Sequence, residues 1–562
     1  MSGFGIVRCS VPVAQDDPQR GARGLFALAL GCICLLLAAL APGAAGAKEP
    51  AMRCEQLVHW QVPVEVIHLP TRGASVEATA PSAAGDPDGS YCRVDGVIQS
   101  VDAKAQSIHF RVNLPARWNE KAVHVGGGGY DGMLVGGLRV SFAGTQDEHP
   151  IAAGYVTFGS DSGHQSMGFM DPAPGKFALN EEELENFGGA QLKKTHDVAL
   201  ELLRHYYGSA PKRIYFYGNS QGGHEGLVVA QRWPNDYDGI VAIHPAYDFT
   251  ALQLSGLHLG QVLYKSPQAW LSPPKVQLIA NAVLRACDNL DGLGDGIIGN
   301  VSGCRSTFKL DPLRCEGGKD AGNRCLSDEQ IKTARAFDEP TALGFTLQGE
   351  VSSFARWPLL TGAFTGGASF MGLGMSPTSS SPPAPTDAFL FFMADQLVRY
   401  MVLRDPSYNS LNFEPAKHVD ELKRVSTLID ASDANLDVFQ ARGGKLLLLH
   451  GTIDMAIAPE NTVAYFERLA KRYGKERLRA FTRLYMVPGF GHGDGAFQMR
   501  WDGLTALDRW VDAGKEPLNQ VATDAAQATA GRTRPLCEYP AWPRYVGSGD
   551  ANVAGSFRCT DR

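Results

Sequence analysis

Short apolar runs, each closing in a glycine-rich or polar loop, set the plan of this chain. Ala122–Val125, Arg213–Tyr217, Lys445–His450 and Arg483–Val487 are apolar over most of their length and too short for stable helices. Runs of this kind suit strands buried on both faces, the pattern of a parallel sheet. After the second run, Gly222-Gly223 opens a stretch through Gln231 that can form a helix. Strand followed by helix predicts an α/β architecture. Between this region and Lys445 lie about 200 residues with little β pattern, far more than a strand connection needs. Residues 252–435 are therefore expected to form an inserted lid domain, with 48–251 and 436–562 as the two parts of the main domain. The lid holds a Pro/Ser-rich loop at 374–387 and an aromatic-rich helix candidate from Phe389 to Leu403, including Phe391, Phe392, Arg399 and Tyr400. Those side chains either wall a substrate pocket or fill the lid's own core.

The turn after the second strand carries Gly218-Asn219-Ser220-Gln221-Gly222, a G-x-S-x-G pattern in the strand–turn–helix setting of a nucleophile elbow. Such a turn exposes the Ser220 hydroxyl and lets the Gln221 amide face a developing oxyanion. A serine nucleophile needs a base, and the base needs an orienting acid. On an α/β-hydrolase fold they follow in the order Ser, Asp/Glu, His. Asp454 lies just past the Lys445–His450 strand, and His492 lies in the loop Pro488-Gly489-Phe490-Gly491-His492-Gly493 after the next strand. Catalytic groups gather at the carboxyl ends of parallel strands, so Ser220, Asp454 and His492 form the expected triad. His244 and His450 also close apolar runs, but neither follows a suitable acid in that order, and both are expected to be structural. Asp494 is the alternative orienting acid. The glycines Gly126–Gly129 after the first strand let backbone approach a carbonyl closely, and Gly128 or Gly129 is expected to supply the second oxyanion donor. No Gly-Lys-Ser/Thr follows this loop, which argues against a phosphate cradle.

These motifs resemble the tannase and feruloyl esterase family of secreted α/β-hydrolases, which includes mono(2-hydroxyethyl) terephthalate hydrolase. The resemblance covers nearly all of the chain after its N-terminal segment. It rests on Gly126–Gly129, the elbow at Ser220, Trp233–Ile240, the Asp/Gly-rich loop at 287–298, Gly443-Gly444-Lys445, Pro488–His492 and Arg534-Pro535-Leu536-Cys537. It implies a serine carboxylesterase acting on esters of aromatic, phenolic acids, with a terephthalate-type monoester as the alternative substrate. The family's nucleophile, acid and base fall on Ser220, Asp454 and His492. One departure stands out: the family commonly joins a cysteine just before the nucleophile to one just after the histidine. Here those positions are Asn219 and Gly493. Packing and hydrogen bonding must hold the two catalytic loops together instead.

The segment before residue 48 has Arg20 and Arg23, an apolar core from about Leu25 to Leu40, and Ala45-Gly46-Ala47. It is expected to be a signal peptide cleaved after Ala47. A membrane anchor is the alternative, and Leu30-Gly31-Cys32 only weakly resembles a lipoprotein site. Of the 11 cysteines, Cys9, Cys32 and Cys34 fall in that segment, and an even number remains, as an oxidising compartment favours. Sequence does not fix their connectivity. Proximity suggests nearest-neighbour pairs, and the resemblance implies the same ones: Cys54–Cys92, Cys287–Cys304, Cys315–Cys325 and Cys537–Cys559. Between Cys287 and Ile297, three carboxylates alternate with glycines, which suits a Ca2+ loop or ordinary Asp-Gly turns and lacks the spacing of an EF-hand. The resemblance implies a structural Ca2+ here, held by the side chains of Asp288, Asp291 and Asp295 and the carbonyls of Leu293 and Ile297. Nothing in the sequence places this loop near Ser220. A net charge of -7 gives no basis for nucleic-acid binding. The expected partner is a small aromatic ester, and the expected location is secreted or periplasmic, off the membrane once the leader is cleaved. A non-catalytic, calcium-stabilised secreted binding protein is the reading from another class, and the complete triad argues against it.

Overall fold

Side chains on the central strands alternate between two hydrophobic clusters, one on each face of a sheet. Leu446 and Leu448 join one cluster, Leu447 and Leu449 the other. Ile240 and Ala242 separate from Val241 and Ile243 in the same way, as do Ile214 and Phe216 from Tyr215 and Tyr217. A strand with no polar face must be covered on both sides, and full burial of each leucine stabilises the fold by roughly 1.5–3 kcal/mol.

The computed structural model describes residues 47–138, 149–362 and 369–561. The expected signal peptide lies outside them except for Ala47, and so do Cys9, Cys32 and Cys34. The strands, in chain order, are β1 (Gln61–Val62), β2 (Ala74–Pro81), β3 (Tyr91–Ile98), β4 (Ile108–Pro115), β5 (Lys121–Val125), β6 (Val156–Ser160), β7 (Arg213–Asn219) and β8 (Gly239–Ile243). Then come β9 (Thr341–Ala342) and β10 (Ser353–Phe354), paired with each other, followed by β11 (Lys445–Gly451) and β12 (Thr482–Val487). The main sheet has ten strands in the order β1-β2-β3-β4-β6-β5-β7-β8-β11-β12. It begins as an antiparallel meander and becomes parallel from β6 onward. Asn219 pairs with Ile243, Ile243 with Leu449 and Leu449 with Tyr485. The carboxyl ends of β7, β8, β11 and β12 therefore form one row, and the loops that leave it share one edge.

A long insertion separates β8 from β11. Its first helix, Phe249–Leu263, starts just ahead of the expected lid boundary. Further helices at Pro273–Cys287, Asp328–Asp338, Phe389–Gln396 and Val419–Ile429 enclose a third hydrophobic cluster. Tyr130, Phe177 and Phe187 from the main domain join that cluster, and the chain from Ala47 onward forms one compact unit. The aromatic-rich helix runs from Phe389 to Gln396 and continues to Val402 in wider π-helical turns. Phe391 packs on Tyr264, and buried Arg399 pairs with buried Asp395 at 2.9 Å, so these side chains serve the insertion's own core. All four expected disulfides are present, Cys287–Cys304 and Cys315–Cys325 within the insertion and Cys54–Cys92 and Cys537–Cys559 at the two ends. Among the described residues, no helix is long and apolar enough to cross a membrane.

Candidate active site

Ser220 joins the end of β7 to the helix Gln221–Arg232 with φ 62° and ψ -120°. That conformation costs a non-glycine residue about 1–3 kcal/mol and persists only where its surroundings enforce it. Here the Ser220 N–H donates to the Ile243 carbonyl at 2.9 Å, and the Ser220 carbonyl accepts from the amides of His224 and Ala246 at 3.0 and 3.3 Å. The turn is too tight for side chains on both flanks. A Cβ on Gly218 would collide with the carbonyl of Gly222, and one on Gly223 with that of Ile243.

The glycine loop after β5 lies against this turn. Gly222 N–H donates to the Gly127 carbonyl at 3.1 Å. The Gly127 amide is spent on Glu225 Oε2 at 2.8 Å, while Glu225 Oε1 accepts from Gln191 at 2.8 Å. Gly129 shares one cavity wall with Ser220 and Gln221, and Gly128 is absent from that wall. Of the two glycines left open by sequence, Gly129 is the one that borders the cavity of Ser220. Burial pushes Glu225 up to about 7, and buried Asp131 nearby is raised well above the usual carboxylate range, by burial first and by the Glu225 charge second.

Asp454 is fully buried, with Oδ2 2.7 Å from His492 Nδ1. Its Oδ1 accepts from the amides of Ala456 at 2.7 Å and Ile457 at 3.0 Å. His450 adds a further donor. Its Nε2 lies 3.1 Å from the Ile457 carbonyl, which can only accept, so Nε2 carries the proton and Nδ1 takes the Thr462 hydroxyl at 2.8 Å. The same Nε2 is 3.3 Å from Asp454 Oδ2. Burial alone would raise Asp454, but His492 and the His450 hydrogen bond hold it well below the usual range. Burial pulls His492 down, and the charge and hydrogen bond of Asp454 outweigh it, so His492 stands above the ordinary imidazole value. With Nδ1–H committed to Asp454, the Nε2 of neutral His492 is free to act as a base. The ligating atoms of His244, Asp454 and His492 also lie within 4.8 Å of one another, but the hydrogen bond to Nδ1 already uses that spacing.

Ser220, Gln221, Gly129 and His492 line the polar end of a cavity of about 270 Å³. Phe249, Leu252, Phe389, Leu390 and Met393 supply its apolar wall, and Gln253 contributes an amide. The aromatic-rich helix does face this cavity, through Phe389 rather than through Phe391, Phe392, Arg399 or Tyr400.

In the loop from Asp288 to Ile297, backbone amides wrap the carboxylates. Gly296 donates to Asp288 at 2.9 Å, Leu293 and Gly299 donate to Asp291 at 3.1 and 2.7 Å, and Ile297 donates to Asp295 at 3.1 Å. Burial, with the neighbouring carboxylates adding to it, pushes Asp291 up to about 6 and raises Asp288. The Leu293 and Ile297 carbonyls accept no hydrogen bond from the described residues. Crowded carboxylates beside free carbonyls suit a hard cation, although Arg534 occupies one oxygen of Asp295 at 2.7 Å. The loop is also nearer the catalytic end than the sequence suggested. A Cβ on Gly489, in the loop that carries His492, would sit 3.1 Å from the Ile297 side chain.

Glu225, Asp131, Gln253 and the contacts of Asn219, His244 and His450 were not legible in the sequence. Only Glu225 left a signal, as a carboxylate on an elbow helix that is otherwise largely apolar or glycine.

The sheet order, the strained serine turn and the acid and histidine at the next strand ends define an α/β-hydrolase. Residues 92–560 match the tannase and feruloyl esterase family. The chain is 36% identical over 531 residues to an uncharacterized esterase of Agrobacterium fabrum, covering 92% of this chain and 94% of that one. It is 30% identical to the mono(2-hydroxyethyl) terephthalate hydrolase of Piscinibacter sakaiensis, with 89% of each chain covered. The crystal structure of feruloyl esterase B from Aspergillus oryzae shares the fold with a TM-score of 0.71 at 22% identity, covering 88% of this chain and 98% of that chain. The chain belongs to the tannase and feruloyl esterase family and is a carboxylic ester hydrolase.

Proposed function

We propose that this chain is an exported serine carboxylesterase that hydrolyses esters of aromatic, phenolic acids through an acyl-enzyme. The observation that carries this reading is the cavity that joins Ser220 and His492 to a wall containing Phe249 and Phe389. In the proposed cycle, His492 Nε2 takes the Ser220 proton as the hydroxyl oxygen attacks the ester carbonyl. Asp454 holds the imidazole in its tautomer and stabilises the imidazolium. The amides of Gln221 and Gly129 stabilise the tetrahedral oxyanion, His492 returns the proton to the leaving alcohol, and water then hydrolyses the acyl-enzyme. Four disulfides support a location in an oxidising compartment, secreted or periplasmic.

The cavity wall also weighs the two substrate readings. Among the described residues that line it there is no lysine or arginine, and Gln253 offers a neutral amide. A phenol or methoxyl group suits such a wall, whereas the free carboxylate of a terephthalate monoester would be buried without a cation. The test is turnover of methyl ferulate, methyl gallate and mono(2-hydroxyethyl) terephthalate by the chain from Lys48 onward, beside Ser220→Ala. The phenolic esters should turn over faster than the terephthalate monoester, and Ser220→Ala should lose activity by about 10⁴-fold or more. Faster terephthalate turnover would transfer the assignment to the monoester, and no turnover of any ester would leave the binding-protein reading.

We also infer a structural Ca2+ in the loop at 288–297, with the ligands Asp288, Asp291, Asp295 and the carbonyls of Leu293 and Ile297. The crowded carboxylates and free carbonyls support it. Chelation should lower Tm, and Ca2+ rather than Mg2+ should restore it, because five protein oxygens suit the larger coordination number of Ca2+, whereas Mg2+ usually takes only one or two carboxylates. An unchanged Tm would dismiss the ion.

A further inference from the structure

We propose that His244, hydrogen-bonded to Asn219, is a positioning residue that ties the nucleophile turn to the acid–base pair without a covalent link. The inference rests on the catalytic reading above. His244 follows β8 directly, and its one side chain meets the ends of three other strands. Its Nδ1 is 2.8 Å from Oδ1 of Asn219, the last residue of β7 and the neighbour of Ser220. Its Nε2 is 4.0 Å from Asp454 Oδ2, in the loop after β11. Its ring centroid is 5.1 Å from that of His492, in the loop after β12. The segments that carry nucleophile, acid and base therefore all pack on this one imidazole.

Three further observations separate His244 from an ordinary core histidine. Its backbone adopts φ 44°, in the left-handed region that a side chain disfavours, and its N–H is fixed to the Leu449 carbonyl at 2.9 Å. Outliers of this kind collect at functional sites. The residue is fully buried, yet Nε2 has no hydrogen-bond partner among the described residues. Buried polar atoms are rarely left unpaired, and this one is held against the carboxylate that orients the base. The groups that face it are Asp454, His450 at a centroid distance of 4.8 Å, His492, and the apolar ring of Phe490 at 5.1 Å. Burial keeps His244 neutral, so it adds no charge and acts by fixing positions. Asn219 itself stands where the family that this chain resembles commonly has half of a disulfide. A hydrogen bond to a clamped imidazole is a link of another kind between the same two loops.

If the link is cut, the Ser220 hydroxyl drifts relative to His492 Nε2, and a displacement of about 1 Å can cost about 100-fold in rate. The experiment is a double-mutant cycle with Asn219→Ala, His244→Ala and both together. It measures kcat and KM on methyl ferulate, the rate of Ser220 labelling by a fluorophosphonate, and thermal unfolding. Each single variant should lower kcat and the labelling rate by about 10- to 100-fold, with KM changed by less than about two-fold. The double variant should lose no more than the worse single, because both break one link. A general packing role would instead lower Tm and give losses that add. Additive losses, or wild-type kcat in a folded Asn219→Ala, overturn the proposal and leave the triad standing. Should His244→Ala not fold, Asn219→Ala decides alone: reduced kcat at unchanged Tm supports the link, and unchanged kcat rejects it. A wild-type chain that neither turns over esters nor takes the label overturns the esterase reading, and this inference with it.

Discussion

In the sheet, Asn219, Ile243, Leu449 and Tyr485 lie in one hydrogen-bonded row, so every loop that leaves it starts from a fixed place. In the insertion, helices of unequal length and pitch enclose a core whose only ladder among the described residues is the two-residue pair of β9 and β10. The sheet end supplies Ser220, Asp454 and His492, while the insertion supplies Phe249, Phe389 and Met393. Bond-making groups tolerate almost no displacement and sit on the ladder; groups that only fill space around a substrate sit on packed helices, where side chains can be exchanged. Under the proposed function, the difference assigns reaction type and ester preference to separate stretches of this chain.

A sheet-end lesion should therefore act on every ester alike. Asp454→Asn should lower kcat by about 10⁴-fold on all substrates, since it removes the partner that fixes the His492 tautomer. It should also move the acidic limb of the pH profile downward, because Asp454 holds the His492 pKa up and only neutral His492 can act as the base. Selective loss on one ester would break the comparison. A lesion in the insertion should discriminate. Phe389→Ala should lower kcat/KM by about 10-fold on methyl ferulate and much less on p-nitrophenyl acetate, because it removes ring contact rather than a catalytic group. Equal losses on both would show that the insertion also supports the chemistry. The smallest effect concerns Glu225 beneath the glycine loop after β5. Glu225 is pushed up to about 7 from an ordinary 4.5, so folding takes up a proton between those values. That contribution to stability is complete below pH 4.5 and is lost as pH rises through 7. Glu225→Gln should reduce the fall in Tm between pH 5 and pH 8 by a few degrees, and an unchanged fall would assign the pH dependence to another group.

The same division explains what could be read in advance. The strands β5, β7, β11 and β12 were visible because strands buried on both faces leave unbroken apolar runs, whereas β8 showed only as the apolar run that closes at His244. That Ser220, Asp454 and His492 gather at one end of the sheet was legible because chain order and strand ends constrain them together. The disulfide partners were near neighbours in sequence, so proximity served. Contacts between distant segments were not legible. His244 meets Asn219, Asp454 and His492 only because four strands align, and no local pattern states that register. Glu225 beneath Gly127 depends on a helix and a loop meeting face to face. In the insertion, composition identified the aromatic helix but not its facing. π-helical turns and tight packing decided which rings turned inward.

The helix Phe389–Gln396 has two faces with different duties. Phe389 and Met393 border the cavity, while Phe391 lies against Gly260 and Tyr264, and Asp395 holds Ser410 and Arg399. The two faces of this helix can therefore change separately. Mutations can accumulate on the cavity face and sample new esters while the opposite face keeps the insertion folded and the sheet is never touched. Phe249 and Leu252 on the helix Phe249–Leu263 share the cavity wall, so under the proposed function a change of acyl group would be spread over two helices of the insertion.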